Sequence, residues 1–134
     1  MWEIVATWYE KFNTKSLINL VWVYSSFDLY EKENQMFTNI KTLLKDRFDI
    51  TSEKSLLMLL YIYTKAPTPD KDFLQDLLHS LSSRKDPYID NFDFTLLVQS
   101  AKISIGTALS TDIEFQNSIK ELIRAYSALI PKFA

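Results

Sequence analysis

Few side chains in this sequence are of types that take part in chemical catalysis. His79 is the single histidine, and Asp76 and Ser80 are its neighbours on the same predicted helix. A histidine that acts as a general base needs a nucleophile and an orienting acid arranged around it. Helix neighbours of these types arise in many sequences. We therefore expect His79 to be a surface residue and the protein not to be an enzyme.

The sequence also lacks the patterns that are typical of metal and cofactor sites. The chain has no cysteine, which removes thiolate metal sites, iron–sulfur clusters and disulfides. Its single glycine, Gly106, leaves no glycine-rich loop for phosphates or dinucleotides. Asp86, Asp90 and Asp93 could offer oxygen ligands to a hard cation, but EF-hand spacing is missing and helix capping explains them more simply. The sequence predicts no metal, no cofactor and no small-molecule substrate.

Basic residues are the candidates for contact with a phosphate backbone. One helix and one loop together contain Lys41, Lys45, Arg47, Arg84 and Lys85. A positive strip of this kind can follow RNA, and a solvent-exposed face with acids interspersed is the alternative. The whole chain has 15 basic and 17 acidic residues and a formal charge of −2, so it lacks the excess positive charge of most nucleic-acid binders.

Aromatic residues are abundant, at 14 % of the chain. Aromatic rings can stack on unpaired bases, but most of those here follow the predicted buried faces of helices. Trp2, Trp8 and Tyr9 differ, because they occupy more than one face of the first predicted helix. We expect these three residues to bind a protein partner.

The elements that position these residues are all predicted to be helices. Apolar residues recur with a 3.6-residue period in nearly every segment between turn-forming residues. A strand around residues 21–24 is the competing interpretation, but strict alternation is missing there. The length of 134 residues fits a single domain, residues 1–134. Caps and prolines place about seven helices, at 2–12, 15–26, 31–47, 53–65, 69–83, 91–105 and from about 111 to 129.

The predicted helices form an internal repeat. A shift of 39 residues places the Lys-Ser-Leu of residues 15–17 on the Lys-Ser-Leu of residues 54–56. The same shift makes Leu20 and Leu59 equivalent, and we expect both to be buried. Chance similarity between amphipathic helices is the alternative. The repeat predicts a short α-solenoid, in which an N-terminal helix at 2–12 precedes three stacked hairpins of about 38 residues, 14–48, 52–84 and 91–129.

The first helices of the first two hairpins share a pattern, which the third hairpin matches only in outline at residues 94–101. Residues 16–24 read Ser-Leu-Ile-Asn-Leu-Val-Trp-Val-Tyr, and residues 55–63 repeat this motif with Tyr61 in place of the tryptophan. On the second helix of the first hairpin, residues 37–40 read Phe-Thr-Asn-Ile. This pattern resembles the helical repeats of octotricopeptide-type proteins and the helical region of FAST-kinase-domain and RAP-domain proteins. The resemblance implies a role in organellar RNA metabolism and a mitochondrial location.

The features together predict a non-enzymatic interaction or scaffold protein, a subunit of a larger assembly. The terminal helices look too apolar to be free ends, and the resemblance implies an organellar ribonucleoprotein or ribosome. Direct binding of single-stranded RNA is the first alternative, and a small inhibitor or immunity-type protein is the second. Uncharged stretches are too short to span a bilayer and the first residues do not resemble a secretory signal, so we expect an intracellular protein without membrane insertion.

Overall fold

A computed structural model describes residues 13–85 and 87–129 of the chain. Within these residues every regular element is helical and no strand occurs. The predicted all-α fold is therefore confirmed for this part of the chain. The helix predicted at residues 2–12 lies outside the described residues. The elements are α1 (Thr14–Ser26), α2 (Asn34–Lys45), α3 (Glu53–Thr64), α4 (Lys71–Ser82), α5 (Asn91–Ile105) and α6 (Ile113–Ser127), with 3-10 turns at Phe48–Ile50 and Ala108–Thr111.

Three helices begin later than predicted, and the last of them, α6, starts at Ile113 after the N-cap Asp112 rather than at about residue 111. α2 starts at Asn34 rather than at residue 31, because the acids before it form a turn and Glu33 makes no side-chain capping bond. α4 starts at Lys71 rather than at residue 69, because the Asp70 carboxylate accepts the backbone N–H of Phe73 at 3.1 Å and fixes the cap there. No described helix has both the length and the apolar character needed to cross a membrane.

The first helices of the three hairpins begin at equivalent polar caps. Asn13, Ser52 and Asp90 each accept a hydrogen bond from the backbone N–H three residues later. These caps lie 39 and then 38 positions apart in the chain. At Asp90 the bond is reciprocal, because the Asp93 carboxylate accepts the Asp90 backbone N–H at 3.1 Å. The predicted repeat register is therefore confirmed at the helix starts.

The helices pack in two layers. In the first layer α1 lies against α3 and α3 lies against α5. In the second layer α4 lies against α6, and a salt bridge from Lys41 to Asp70 joins α2 to α4. Each second helix also packs on the first helix of its own hairpin. The described chain is thus a stack of three helical hairpins, which is the arrangement of a short α-solenoid.

The centre of the core is α3. Its buried residues are Leu56, Leu57, Leu59, Leu60, Ile62, Tyr63 and Thr64. Two tyrosine hydroxyls satisfy buried carbonyls between the first and second hairpins: Tyr63 donates to Phe37 at 2.8 Å and Tyr30 donates to Ile62 at 2.6 Å. Burial raises the pKa of Tyr30 to about 12, so its hydroxyl is a neutral donor at physiological pH.

Equivalent positions in the first two hairpins share part of their surroundings. Trp22 and Tyr61 are both half-buried and face each other, with ring centroids 5.8 Å apart. Leu59 is fully buried, whereas Leu20 is only partly buried, so the prediction of equal burial is wrong. Leu59 lies on α3, which packs against α1, α4 and α5, whereas Leu20 lies on α1, which packs against α2 and α3. The matching face of α1 has no earlier hairpin among the described residues to cover it.

The third hairpin exposes both polar and apolar side chains. Its exposed positions include Thr95, Gln99 and Lys102 on α5 and Asn117, Lys120 and Arg124 on α6. Phe92, Ile105 and Ile113 of the same hairpin are also exposed, at 52 %, 66 % and 75 %. The expectation that the terminal units look too apolar to be free ends therefore stays a prediction.

Candidate partner-binding groove

The Arg84 side chain is paired with other residues of the protein and does not extend into solvent. Its guanidinium donates to the Glu53 carboxylate at 2.6 Å and to the backbone carbonyl of Phe48 at 2.6 Å. The side chains of Arg84 and Glu53 are only 18 % and 19 % exposed. Glu53 also accepts the backbone N–H of Tyr88 at 3.3 Å. Arg84 therefore ties the end of α4 to the start of α3 and to the loops on either side.

Lysines of one hairpin pair with the capping aspartates of the next. These pairs are Lys41–Asp70 at 2.6 Å, Lys54–Asp90 at 3.4 Å and Lys71–Asp112 at 3.4 Å. Each aspartate caps a helix N-terminus, where a negative charge is favoured by the helix dipole. The lysines thus link consecutive hairpins. Lys54 and Lys71 do so from the N-terminal turns of their own helices, whereas Lys41 reaches Asp70 from the second half of α2.

The other basic candidates have mixed surroundings. Lys45 and Lys85 are exposed, while Arg47 is half-buried. Lys41 and Lys45 line one shallow cavity beside Asp70. The structure therefore brings these two lysines together on α2, and it places Arg84 against a different groove. Trp2, Trp8 and Tyr9, predicted to bind a partner, lie outside the described residues.

A groove of about 440 Å³ lies between the C-terminal halves of α4 and α6. We call it the apolar groove, because its lining includes Leu78, Leu81, Leu122, Ala125, Tyr126 and Leu129. Polar and charged side chains at its edge are Gln75, His79, Ser82, Arg84, Ser118 and Glu121. Leu129 is 48 % exposed, so part of this lining is in contact with solvent.

The apolar groove opens for two reasons: the hydrogen bonds between α4 and α6 are unevenly placed, and small side chains line part of it. The N-terminal halves of α4 and α6 are joined by a hydrogen bond from Gln75 to Ser118 at 3.0 Å. Toward the C-terminal ends of the two helices, the Tyr126 hydroxyl of α6 donates a hydrogen bond to the Leu81 carbonyl of α4 at 3.4 Å. Ser82 and Ala125 are small, so they leave space that larger residues would fill. Burial raises the pKa of Tyr126 to about 12, which keeps this hydroxyl protonated.

A second, more open groove lies on the other side of His79, between α4 and the segment that contains the end of α2 and the 3-10 turn at Phe48–Ile50. We call it the acidic groove, because Asp46, Asp49 and Asp76 line it and Lys45 is the one basic Lys or Arg in its lining. All three aspartates are exposed. No lysine or arginine of the described residues forms an ion pair with them. Among the described residues, the lining of the acidic groove therefore has three carboxylates against one lysine and carries net negative charge.

His79 is exposed on α4, as predicted for a surface residue, and it lines both grooves. In residues 13–85 and 87–129, no group of three or more His, Asp or Glu side chains is placed to hold a metal ion. Sequence reasoning did not find the two grooves. In the sequence Asp76 stood out only as a helix neighbour of His79, and nothing local shows that α4 and α6 are neighbours.

Comparisons with known proteins do not assign a family. The chain matches no protein-family model, no curated protein and no solved structure. The function of the grooves is therefore argued from their own geometry.

The paired and capping carboxylates make stability depend on pH. The backbone N–H of Asp93 lowers the pKa of Asp90. Burial alone would raise the pKa of Glu53 and Asp70, but hydrogen bonds from Arg84 and Lys41 outweigh it and lower both. The unfolded chain binds protons at the ordinary carboxyl pKa of about 4, above the folded values. We therefore expect the free energy of unfolding to fall as pH drops from about 5 toward 2.

Urea unfolding followed by circular dichroism at pH 7, 5, 4 and 3 measures this dependence. In Asp70→Asn the carboxylate no longer titrates, so stability should be lower at pH 7 and should change less between pH 5 and 3. Asp72→Asn, an exposed acid in the first turn of the same helix, is the matched control. A pH dependence that is identical in Asp70→Asn and the unsubstituted protein would contradict the argument.

Proposed function

We propose that this protein is a non-enzymatic helical-repeat scaffold that binds another protein through its second-helix layer, as a subunit of a larger assembly. The apolar groove between α4 and α6 is the observation that carries the proposal. Solenoids present such surfaces to their partners. An apolar lining with a polar edge is also the composition of protein–protein interfaces. The resemblance to organellar RNA-metabolism proteins makes a mitochondrial ribonucleoprotein or ribosome the assembly we favour.

Direct binding of single-stranded RNA has less support. Two of the five basic candidates, Lys41 and Arg84, are engaged by Asp70 and Glu53. The exposed aspartates of the acidic groove would repel the phosphates of an RNA that approached Lys45. An inhibitor or immunity-type protein would use the apolar groove in the same way as a scaffold. The identity of its partner, a single enzyme or toxin, would distinguish it.

Photocrosslinking tests the proposed function. We expect benzoylphenylalanine in place of Ser82, which is exposed and lines the apolar groove, to form a covalent adduct with a partner protein in extract of the cells that make the chain. The matched control places the same group at Lys102, on the exposed polar surface of α5. An adduct at Ser82 and none at Lys102 supports the proposal. No adduct at Ser82, or equal adducts at both positions, overturns it.

A further inference from the structure

We infer that the partner presents a basic amphipathic helix, which lays an apolar side chain in the apolar groove and a lysine or arginine in the acidic groove. This inference rests on the proposed function and names the class of partner. The two grooves lie on opposite sides of His79, so a ligand that fills both must cross α4 at that residue.

Charge complementarity selects a basic partner. Asp46, Asp49 and Asp76 are exposed and, among the described residues, have no basic partner in an ion pair. In the apolar groove the positive charge of Arg84 is already engaged by Glu53, whereas Glu121 stays exposed. A cationic side chain therefore meets unpaired carboxylates on this face, and an anionic side chain meets repulsion.

The spacing of the two grooves selects a helix of defined pattern. His79 of α4 lines both grooves, so α4 separates them by about one helix diameter, roughly 10–12 Å. A helix rises about 1.5 Å per residue, so positions i and i+7 lie about 10.5 Å apart on the same face. An apolar residue at i with a lysine or arginine at i+7 matches both grooves, in the manner of helix-in-groove recognition.

Two synthetic peptides test the inference. Both are alanine-based helices of 16 residues with leucines at i and i+4. The first has lysines at i+7 and i+11, and the second has the same composition with its lysines on the opposite face. We expect fluorescence anisotropy at low salt to show about tenfold tighter binding of the first peptide, with the difference shrinking as salt is added.

Charge-matched variants of the protein test whether the acidic groove causes the preference for the first peptide. The variant Asp46→Asn, Asp49→Asn, Asp76→Asn should bind both peptides equally. The control Glu31→Gln, Glu33→Gln, Glu114→Gln changes the net charge by the same amount near helix N-termini and should keep the tenfold preference. Circular dichroism and urea unfolding establish that both variants are folded. Acidic-groove variants that keep the preference, or peptides that bind equally to the unsubstituted protein, overturn the inference.

The outcomes separate this inference from the proposed function. If neither peptide binds while Ser82 still crosslinks to a protein, the basic helix is wrong and the scaffold function stands. If Ser82 gives no adduct, the proposed function itself fails. Tighter binding of an unstructured oligouridylate than of the first peptide would overturn the choice of a protein ligand in favour of RNA.

Discussion

Replacing Leu59 with alanine is expected to lower the free energy of unfolding by about 2–5 kcal/mol. Leu59 is fully buried on α3, the helix that contacts α1, α4 and α5. Truncation removes apolar contacts and leaves a cavity that helices fixed on three sides cannot collapse to fill. Urea denaturation at pH 7, followed by circular dichroism, measures the loss.

Leu20→Ala is the matched control, because Leu20 occupies the equivalent position 39 residues earlier. It is only partly buried, so the same truncation should cost about 1 kcal/mol. The difference between the two losses reports the extra burial that α3 gains from its position between the first and third hairpins. Equal losses at the two positions would contradict the packing described for α1.

Replacing Arg84 with methionine is the second large expected effect, a loss of about 2–4 kcal/mol. The substitution keeps an unbranched apolar chain but removes the donors to Glu53 and to the Phe48 carbonyl. The Glu53 carboxylate would then lose its ion-pair partner in a site where its side chain is 19 % exposed. Lys85→Met changes the exposed neighbour and should alter stability by less than about 0.5 kcal/mol.

A double-mutant cycle with Glu53→Gln isolates the pair. Once Glu53 is neutral, Arg84→Met should cost less than it does in the unsubstituted protein, because no unpaired carboxylate is left behind. The remaining loss measures the bond to the Phe48 carbonyl and the packing of the arginine chain. Strictly additive losses would show that the two side chains do not interact.

The fold followed from local signals in the sequence. Apolar periodicity gave the helices, and Asn13, Ser52 and Asp90 are all residue types that favour N-caps. The start of α2 was misplaced because Glu31 and Glu33 resemble the acids of a first helical turn. Such acids are also common in turns, and only the missing capping bond at Glu33 separates the two cases.

The candidate site depended on contacts between residues distant in the chain, which a single sequence does not reveal. Arg84 and Lys85 look alike as neighbouring bases, yet Arg84 pairs with Glu53, 31 positions away, and Lys85 is exposed. The apolar groove requires α4 and α6 to be neighbours, although α5 separates them in the chain. Periodicity predicts which face of a helix is buried, but it does not specify the helix that covers it.

The central place of α3 determines the order in which the molecule opens. Opening the second hairpin breaks interfaces on both sides, whereas opening the first or third hairpin breaks one described interface. Amide protons of α3 therefore exchange with solvent last, and the outer hairpins open more often. The apolar groove spans the boundary between the second and third hairpins. A partner bound there, as proposed, would hold the third hairpin closed and lengthen its lifetime in the folded state.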